Sequence, residues 1–179
     1  MNFELTKEQK RIKQSAYEFA QKELAPYALE REDKGEWPYE VWEKMRKLGY
    51  TGLITPEEYG GSACGDSVYL DSILVLEEFA RADDAFATSF QVHNLIQDMF
   101  LLYGNDEQKK EWLPKLASGE IMGAFALTEP DAGSDARAIT TRAELINNTM
   151  RQGHVGPEQL VYNVRDSLID NNFFREFVT

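Results

Sequence analysis

The groups best able to do chemistry in this chain are concentrated in one segment, Ala126-Leu-Thr-Glu-Pro-Asp-Ala-Gly-Ser-Asp135. It reads as an apolar strand running into a loop of Gly, Ser and acid residues. Such a loop presents backbone N–H groups and hydroxyls, the donors that phosphates take. The same residue types also build an ordinary turn, so the segment by itself leaves both readings open. Glu129 invites a reading as a general base. The two histidines, His93 and His154, have no partners at metal-ligand spacing, and no metal site is expected. His93 falls within a helical pattern, where packing is the ordinary role of a lone imidazole. His154 lies in a later loop with no evident partner. Cys64 is the sole cysteine; it sits in a Gly/Ser loop and can form no internal disulfide.

Taken with its surroundings, the motif resembles the flavin-site signature of the acyl-CoA dehydrogenases. Ala126, Leu127, Thr128, Glu129, Ala132, Gly133, Ser134 and Asp135 fit its pattern of small, aliphatic, Ser/Thr, Glu, two variable positions, then small-Gly-Ser/Thr-Asp. Three upstream segments are similar to the family in order and spacing: Leu5-Thr-Lys-Glu-Gln9, Pro56-Glu-Glu-Tyr-Gly-Gly61, and Asp106 to Glu120. The resemblance covers roughly residues 2 to 145.

The resemblance implies FAD as cofactor, held by Phe125, Ala126, Leu127, Thr128, Gly133 and Ser134. Leu127 and Thr128 would face the isoalloxazine, with Thr128 a donor to its pyrimidine end. Such donors stabilise the charge that builds on the reduced ring. Gly133 would allow close backbone approach. Ser134 would bond the FAD pyrophosphate and border the bound acyl-CoA substrate. Phe125 and Leu127 can serve core packing at the same time. The implied reaction takes a proton from the α-carbon of an acyl-CoA and a hydride from its β-carbon. In the family, however, the Glu matching Glu129 supports the loop, and the base comes from much later in the chain. The resemblance therefore implies no catalytic residue here. It also implies an electron-transfer flavoprotein as electron acceptor and a homo-oligomer for the intact family.

Elements that would position the motif are mainly helical. Thr6 and Gln9 have capping-box spacing, and Ile12, Ala16, Phe19 and Ala20 then share a face; Pro26 ends or bends this helix. Pro38 suits a first helical position, with Val41, Trp42, Met45 and Leu48 following and Gly49 as the stop. A loop from Thr51 to Asp66 holds Gly60-Gly61. A third helix is expected from about Ser67 to Arg81. A fourth runs from about Asp84 to Tyr103; it is apolar on most sides, expected at the bundle centre, and by the resemblance lines the acyl pocket. A fifth begins near Asp106 after the Asn105 cap, and Pro114 should kink or shorten it. Ile121 to Thr128 is short, apolar and uncharged, which predicts a buried strand, and Ile139 to Leu145 could be a second.

The expected fold class is thus mainly α. A helical bundle of the acyl-CoA dehydrogenase type, residues 1–119, is followed by an incomplete β segment with the flavin motif, 120–145, and a non-matching, short helical tail, 146–179. The family expects a Trp-led strand and an Asn-Gly turn soon after Leu145. Ile146-Asn-Asn-Thr-Met-Arg-Gln-Gly-His-Val-Gly-Pro157 stands there instead. From Pro157, Leu160, Val161, Val164 and Leu168 share a helical face, before Phe173, Phe174 and Phe177. A truncated or rearranged frame with a foreign tail is the expectation, and with it a chain inactive on its own.

Composition bounds the function classes. A net charge of -12 argues against nucleic acid as a partner and against anionic membranes. No apolar stretch is long enough for a span, and the start lacks a secretory signal, so a soluble cytoplasmic protein is the expectation. The alternative to a dehydrogenase is a non-catalytic helical fragment that binds acyl-CoA or a sister subunit only. A desaturase-like or monooxygenase-like relative fits the intact Thr-Glu-Pro motif less well.

Overall fold

The computed structural model describes residues 4–125, 127–138, 144–146 and 149–151. Six α-helices dominate: α1 (Lys7–Phe19), α2 (Ala28–Lys34), α3 (Tyr39–Lys47), α4 (Val68–Ala82), α5 (Asp84–Tyr103) and α6 (Asp106–Ala117). The capping box at Thr6 forms as its spacing predicts, with Gln9 N–H donating to Thr6 Oγ1 at 3.1 Å and Thr6 N–H to Gln9 Oε1 at 2.9 Å. A second box forms at Asn105, with Gln108 as its other half. The helix does change course at Pro26: α1 widens into a π-helical turn, Ala20–Leu24, then tightens into a 3-10 turn, Ala25–Tyr27. Pro38 is the N-cap of α3, one position before the expected first turn, and Gly49 stops that helix with φ 80°.

Three expectations are corrected. α2 is absent from the sequence reading because it buries no side chain; the exposed Lys34–Glu30 pair at i,i+4 supports it instead. Pro114 does not shorten α6, which runs to Ala117. Its ring lies in the last turn, where a missing N–H sacrifices a single bond. No strand forms over 121–125 or 127–128. That run is apolar because it lies on the bundle: Met122 packs against the main core and Ile121 against a second cluster. A short two-stranded hairpin follows, β1 (Glu144–Ile146) antiparallel to β2 (Thr149–Arg151), with Leu145 opposite Met150. Ala126, residues 139–143, His154 and the tail from Pro157 lie outside the described residues.

Helix α1 packs on α4, α4 on α5, and α5 on α6. Along α1 and its π-helical turn, Ala16, Phe19, Ala20 and Leu24 share a core with Val75 and Phe79 of α4 and Phe86 and Phe90 of α5. Phe79 is the hub of an aromatic cluster, with rings of Phe19, Tyr50, Phe86 and Phe90 at centroid distances of 5.4–6.0 Å, spacing that suits edge-to-face contact. The far half of α5, Ile96, Met99 and Phe100, meets Trp112, Leu113 and Leu116 of α6.

The loop between α3 and α4 is tied to the bundle by buried polar groups. Gln97 of α5 donates to the Thr51 carbonyl at 2.9 Å and accepts from the Thr55 hydroxyl. Thr51 Oγ1 donates to the Ala117 carbonyl at 2.8 Å. The pair Gly60-Gly61 is read correctly as a tight turn, and Gly61 is spatially required. A Cβ there would meet Thr55 O at 1.9 Å.

Candidate functional site

After α6 the chain turns at Gly119 and runs toward the motif. Trp42 of α3 holds that turn, its Nε1–H donating to the Gly119 carbonyl at 3.0 Å. His93 of α5 holds the next stretch. Its ring is fully buried; Nε2 lies 3.1 Å from Leu116 O, and Gly123 N–H donates to Nδ1 at 3.1 Å. The Trp42 ring meets the imidazole edge-on, 5.0 Å away at 88°. Burial pushes the His93 pKa down to about 4, against a smaller opposing pull from the Leu116 and Thr51 backbone. The sequence reading of His93 as a packed or surface residue resolves to a packed one, but its hydrogen-bond partners on Leu116 and Gly123 lie 23 and 30 positions away. No local pattern could have found them.

The motif itself is a hairpin-like turn. Glu129 and Ala132 exchange backbone hydrogen bonds, at 2.9 Å from Glu129 N–H and 3.2 Å from Ala132 N–H. Ala132 is buried and anchors the turn. Asp135 closes the next one, its carboxylate accepting from Arg137 N–H at 3.2 Å. The predicted site residues are carried by this turn and its approach. Phe125 is 36% exposed and Leu127 half-buried, while Thr128, Gly133 and Ser134 are exposed. Among the described residues the hydroxyls of Thr128 and Ser134 take no hydrogen bond. A Cβ on Gly133 would meet only Thr128 Cγ2, at 3.8 Å. The chain itself therefore leaves the space beside Gly133 open. Two unspent hydroxyls, an open glycine and two part-exposed apolar side chains fit a ligand with both a planar apolar part and a polar one.

A second feature lies between α4 and α5. It is an open groove of about 420 Å³ lined by Tyr69, Ile73, Leu76, Val92 and Leu95, with Asp98 at its polar end. Tyr69 donates to Asp98 Oδ1 at 3.0 Å. Burial raises the Asp98 pKa, and the Tyr69 hydrogen bond offsets this in part. The same hydrogen bond is the main cause of a raised Tyr69 pKa. The sequence reading places α5 beside a substrate and counts Val92 and Leu95 among its apolar residues, but assigns none of them to a groove. Among the described residues no cluster of His, Cys, Asp or Glu could hold a metal ion, and no helix is long and apolar enough to cross a membrane.

Comparison with known proteins places these features in a family. Residues 6–120 match the family model "Acyl-CoA dehydrogenase, N-terminal domain". The chain is 41% identical over 149 residues to an acryloyl-CoA reductase (NADH) of Anaerotignum propionicum, covering 83% of this chain and 37% of that protein. It is 40% identical over 147 residues to a mitochondrial isovaleryl-CoA dehydrogenase of Pongo abelii, covering 80% and 34%. Among solved structures, an acyl-CoA dehydrogenase complexed with FAD from Bacillus anthracis superposes with a TM-score of 0.72 at 38% identity, covering 82% of this chain and 25% of that one. The chain spans about a third of the length of the two curated relatives. On this evidence the chain belongs to the acyl-CoA dehydrogenase family, with that family's N-terminal helical domain in residues 6–120.

Proposed function

We propose that this chain is part of a flavoprotein that dehydrogenates an acyl-CoA thioester between its α and β carbons, with FAD as hydride acceptor. The observation that carries the reading is the turn from Thr128 to Ser134 in a chain of this family: exposed, with both hydroxyls unspent and Gly133 open. FAD, when bound, supplies a ring that accepts two electrons. The chain's own residues bind and orient it. Thr128 would donate toward the pyrimidine end and Ser134 toward the pyrophosphate and the substrate border; Phe125 and Leu127 would offer an apolar wall, with Ala126 between them in sequence. Gly133 admits close approach. The α4/α5 groove offers apolar walls suited to an acyl chain. An electron-transfer flavoprotein is the proposed electron acceptor and a homo-oligomer the proposed assembly. The single thiol, Cys64, is free and exposed, which suits the reducing cytoplasm.

The carboxylate that removes the α-proton is proposed to lie outside these 179 residues, because in the family it comes from much later in the chain. The chain by itself should then not reduce a dye acceptor with butyryl-CoA or octanoyl-CoA. Reduction in a preparation free of host enzyme would overturn this. When the family's continuation is joined after Leu145, the protein should turn yellow with FAD. Ser134→Ala should then weaken FAD retention roughly 10- to 100-fold, since a hydrogen bond to a charged group contributes about 1.5–3 kcal/mol. Unchanged affinity would refute the role of Ser134.

The α4/α5 groove favours a second reading, a helical unit that binds acyl-CoA without flavin. Calorimetric titration of the 179-residue chain with octanoyl-CoA and, separately, with FAD separates the two.

A further inference from the structure

We propose that His93 is the positioning residue of the flavin-motif segment: a neutral imidazole, protonated on Nε2, that clasps Gly123 to the helical bundle. The flavin part of this statement rests on the function proposed above; the clasp does not.

The hydrogen-bond chemistry allows one arrangement. A carbonyl can only accept, so Nε2, 3.1 Å from Leu116 O, carries the proton. A backbone N–H can only donate, so Nδ1, 3.1 Å from Gly123 N, carries the lone pair. The neutral Nε2–H tautomer satisfies both, while the other tautomer and the imidazolium each place a proton against the Gly123 N–H. The ring therefore joins three pieces of chain: α5, the last turn of α6 and the approach to the motif. Trp42 fixes its plane.

Two further observations make the clasp a constraint on the motif and not packing alone. Between Ile121 and Leu127, the backbone donors with partners among the described residues are Ile121, at 3.4 Å from Lys115 O, and Gly123. Among the described residues no sheet holds this stretch, and the shorter of its two backbone ties runs through His93. Gly123 also lies so close to α5 that a Cβ there would come within 2.8 Å of Ile96 Cβ. A residue with a side chain could not bring its N–H to the imidazole along this path. The motif turn begins six residues later, at Glu129.

The elements around the ring carry Glu40, Glu43, Lys44, Arg46 and Lys47 on α3, Asp84 and Asp98 on α5, and Asp106, Glu107, Lys109, Lys110, Glu111 and Lys115 on α6, with Glu120 on the chain that follows. None of them contributes to the proton affinity of His93. The clasp should therefore hold at neutral pH and open only in acid.

The test uses the 179-residue chain labelled with ¹⁵N. At pH 7 the imidazole should show a protonated Nε2 and an unprotonated Nδ1, and the Gly123 amide should be protected from exchange. His93→Phe keeps an aromatic ring beside Trp42 but removes both hydrogen bonds. It should speed Gly123 exchange roughly tenfold, by the loss of one buried hydrogen bond, with Ala16 in α1 unchanged. A proton on Nδ1 in the wild type, or equal Gly123 protection in folded His93→Phe, would overturn the clasp. If the variant does not fold, the wild-type tautomer decides alone. FAD titrated into both sequences, each joined after Leu145 to the family's continuation, and followed by flavin fluorescence, tests the link to the motif. Equal binding by both overturns the positioning role. No binding by wild type counts against the flavin reading for this chain and leaves the clasp to the exchange data.

Discussion

Protonating His93 in the folded chain places a charge in a fully buried site where no acid contributes to its proton affinity. The unfolded chain takes that proton near the ordinary value of 6.5, the folded chain only near about 4. Below pH 6.5 the unfolded state therefore binds more protons, and stability falls with pH. The loss should run at about 1.4 kcal/mol per pH unit between these values and then level off. Urea unfolding at pH 7.5, 6 and 5 should show it in wild type and not in His93→Phe. Asp98 acts with the opposite sign. Its raised pKa means the folded state takes a proton first, so it gains relative stability as pH falls toward the ordinary Asp value. The difference between wild type and variant separates the two. At this scale the sequence was readable where a residue's role is local. The hydroxyls of Thr128 and Ser134 stand exposed on a turn, as their Gly/Ser context indicates. The roles of His93, Gln97 and Asp98 were not readable, because each is defined by a partner on another element.

The helices are held by devices that differ in how visible they are. Asp83 does two jobs. Its carboxylate caps α5 by accepting from Phe86 N–H at 3.0 Å, and it pairs with Arg31 of α2 at 2.8 Å. Arg31 also donates to the Leu24 carbonyl, so α2 is fastened to the end of α1 and the start of α5 by one guanidinium. Both side chains are largely buried, 12% and 10% exposed. Arg31→Ala should therefore cost about 3 kcal/mol by leaving a buried charge unpaired, well above the exposed Lys34–Glu30 pair of the same helix. Thermal melts of Arg31→Ala and Lys34→Ala compare them, and similar shifts would contradict the argument. Gly61→Ala should cost about 3 kcal/mol or more, because the clash is with the Thr55 backbone and no rotamer relieves it. A midpoint in urea unchanged from wild type would contradict that. Caps and glycine stops were legible because they act within four residues. The run from Ile121 to Thr128 was misread because an apolar run does not state whether a sheet or a helix face covers it.

For the whole molecule, tightness declines along the chain from bundle to motif. α5 is covered by α4, by α6 and by the loop network through Gln97, so its amides should exchange slowest. Gly123 should be protected through His93. From Leu127 to Asp135 the surface is largely exposed, and among the described residues only Glu129 and Ala132 have partnered amides there. The rest should exchange near the intrinsic rate, and proteolysis should cut in this stretch before it cuts the helices. Protection at Asp131 or Ser134 matching that of Phe90 would show that the motif has found further support. The helical fold was legible because five separate patterns agree with one bundle. The ends of the site were not: the relatives are more than twice as long as this chain, and the matched part covers only about a third of each.

The edge-on contact of Trp42 with His93 also has an optical consequence. A protonated imidazole against an indole quenches its emission, whereas a neutral one does so weakly. Trp42 therefore doubles as a built-in lamp for the clasp. Of the other two indoles, Trp37 stacks on Phe86 and Trp112 lies under the Lys115 ammonium, whereas Trp42 is the one edge-on to His93. As the solution is acidified toward pH 4, emission should dim before the bundle unfolds. The dimming should vanish in Trp42→Phe and persist in Trp112→Phe. One cuvette would then report the state of a single buried proton, and through it whether the motif is still fastened.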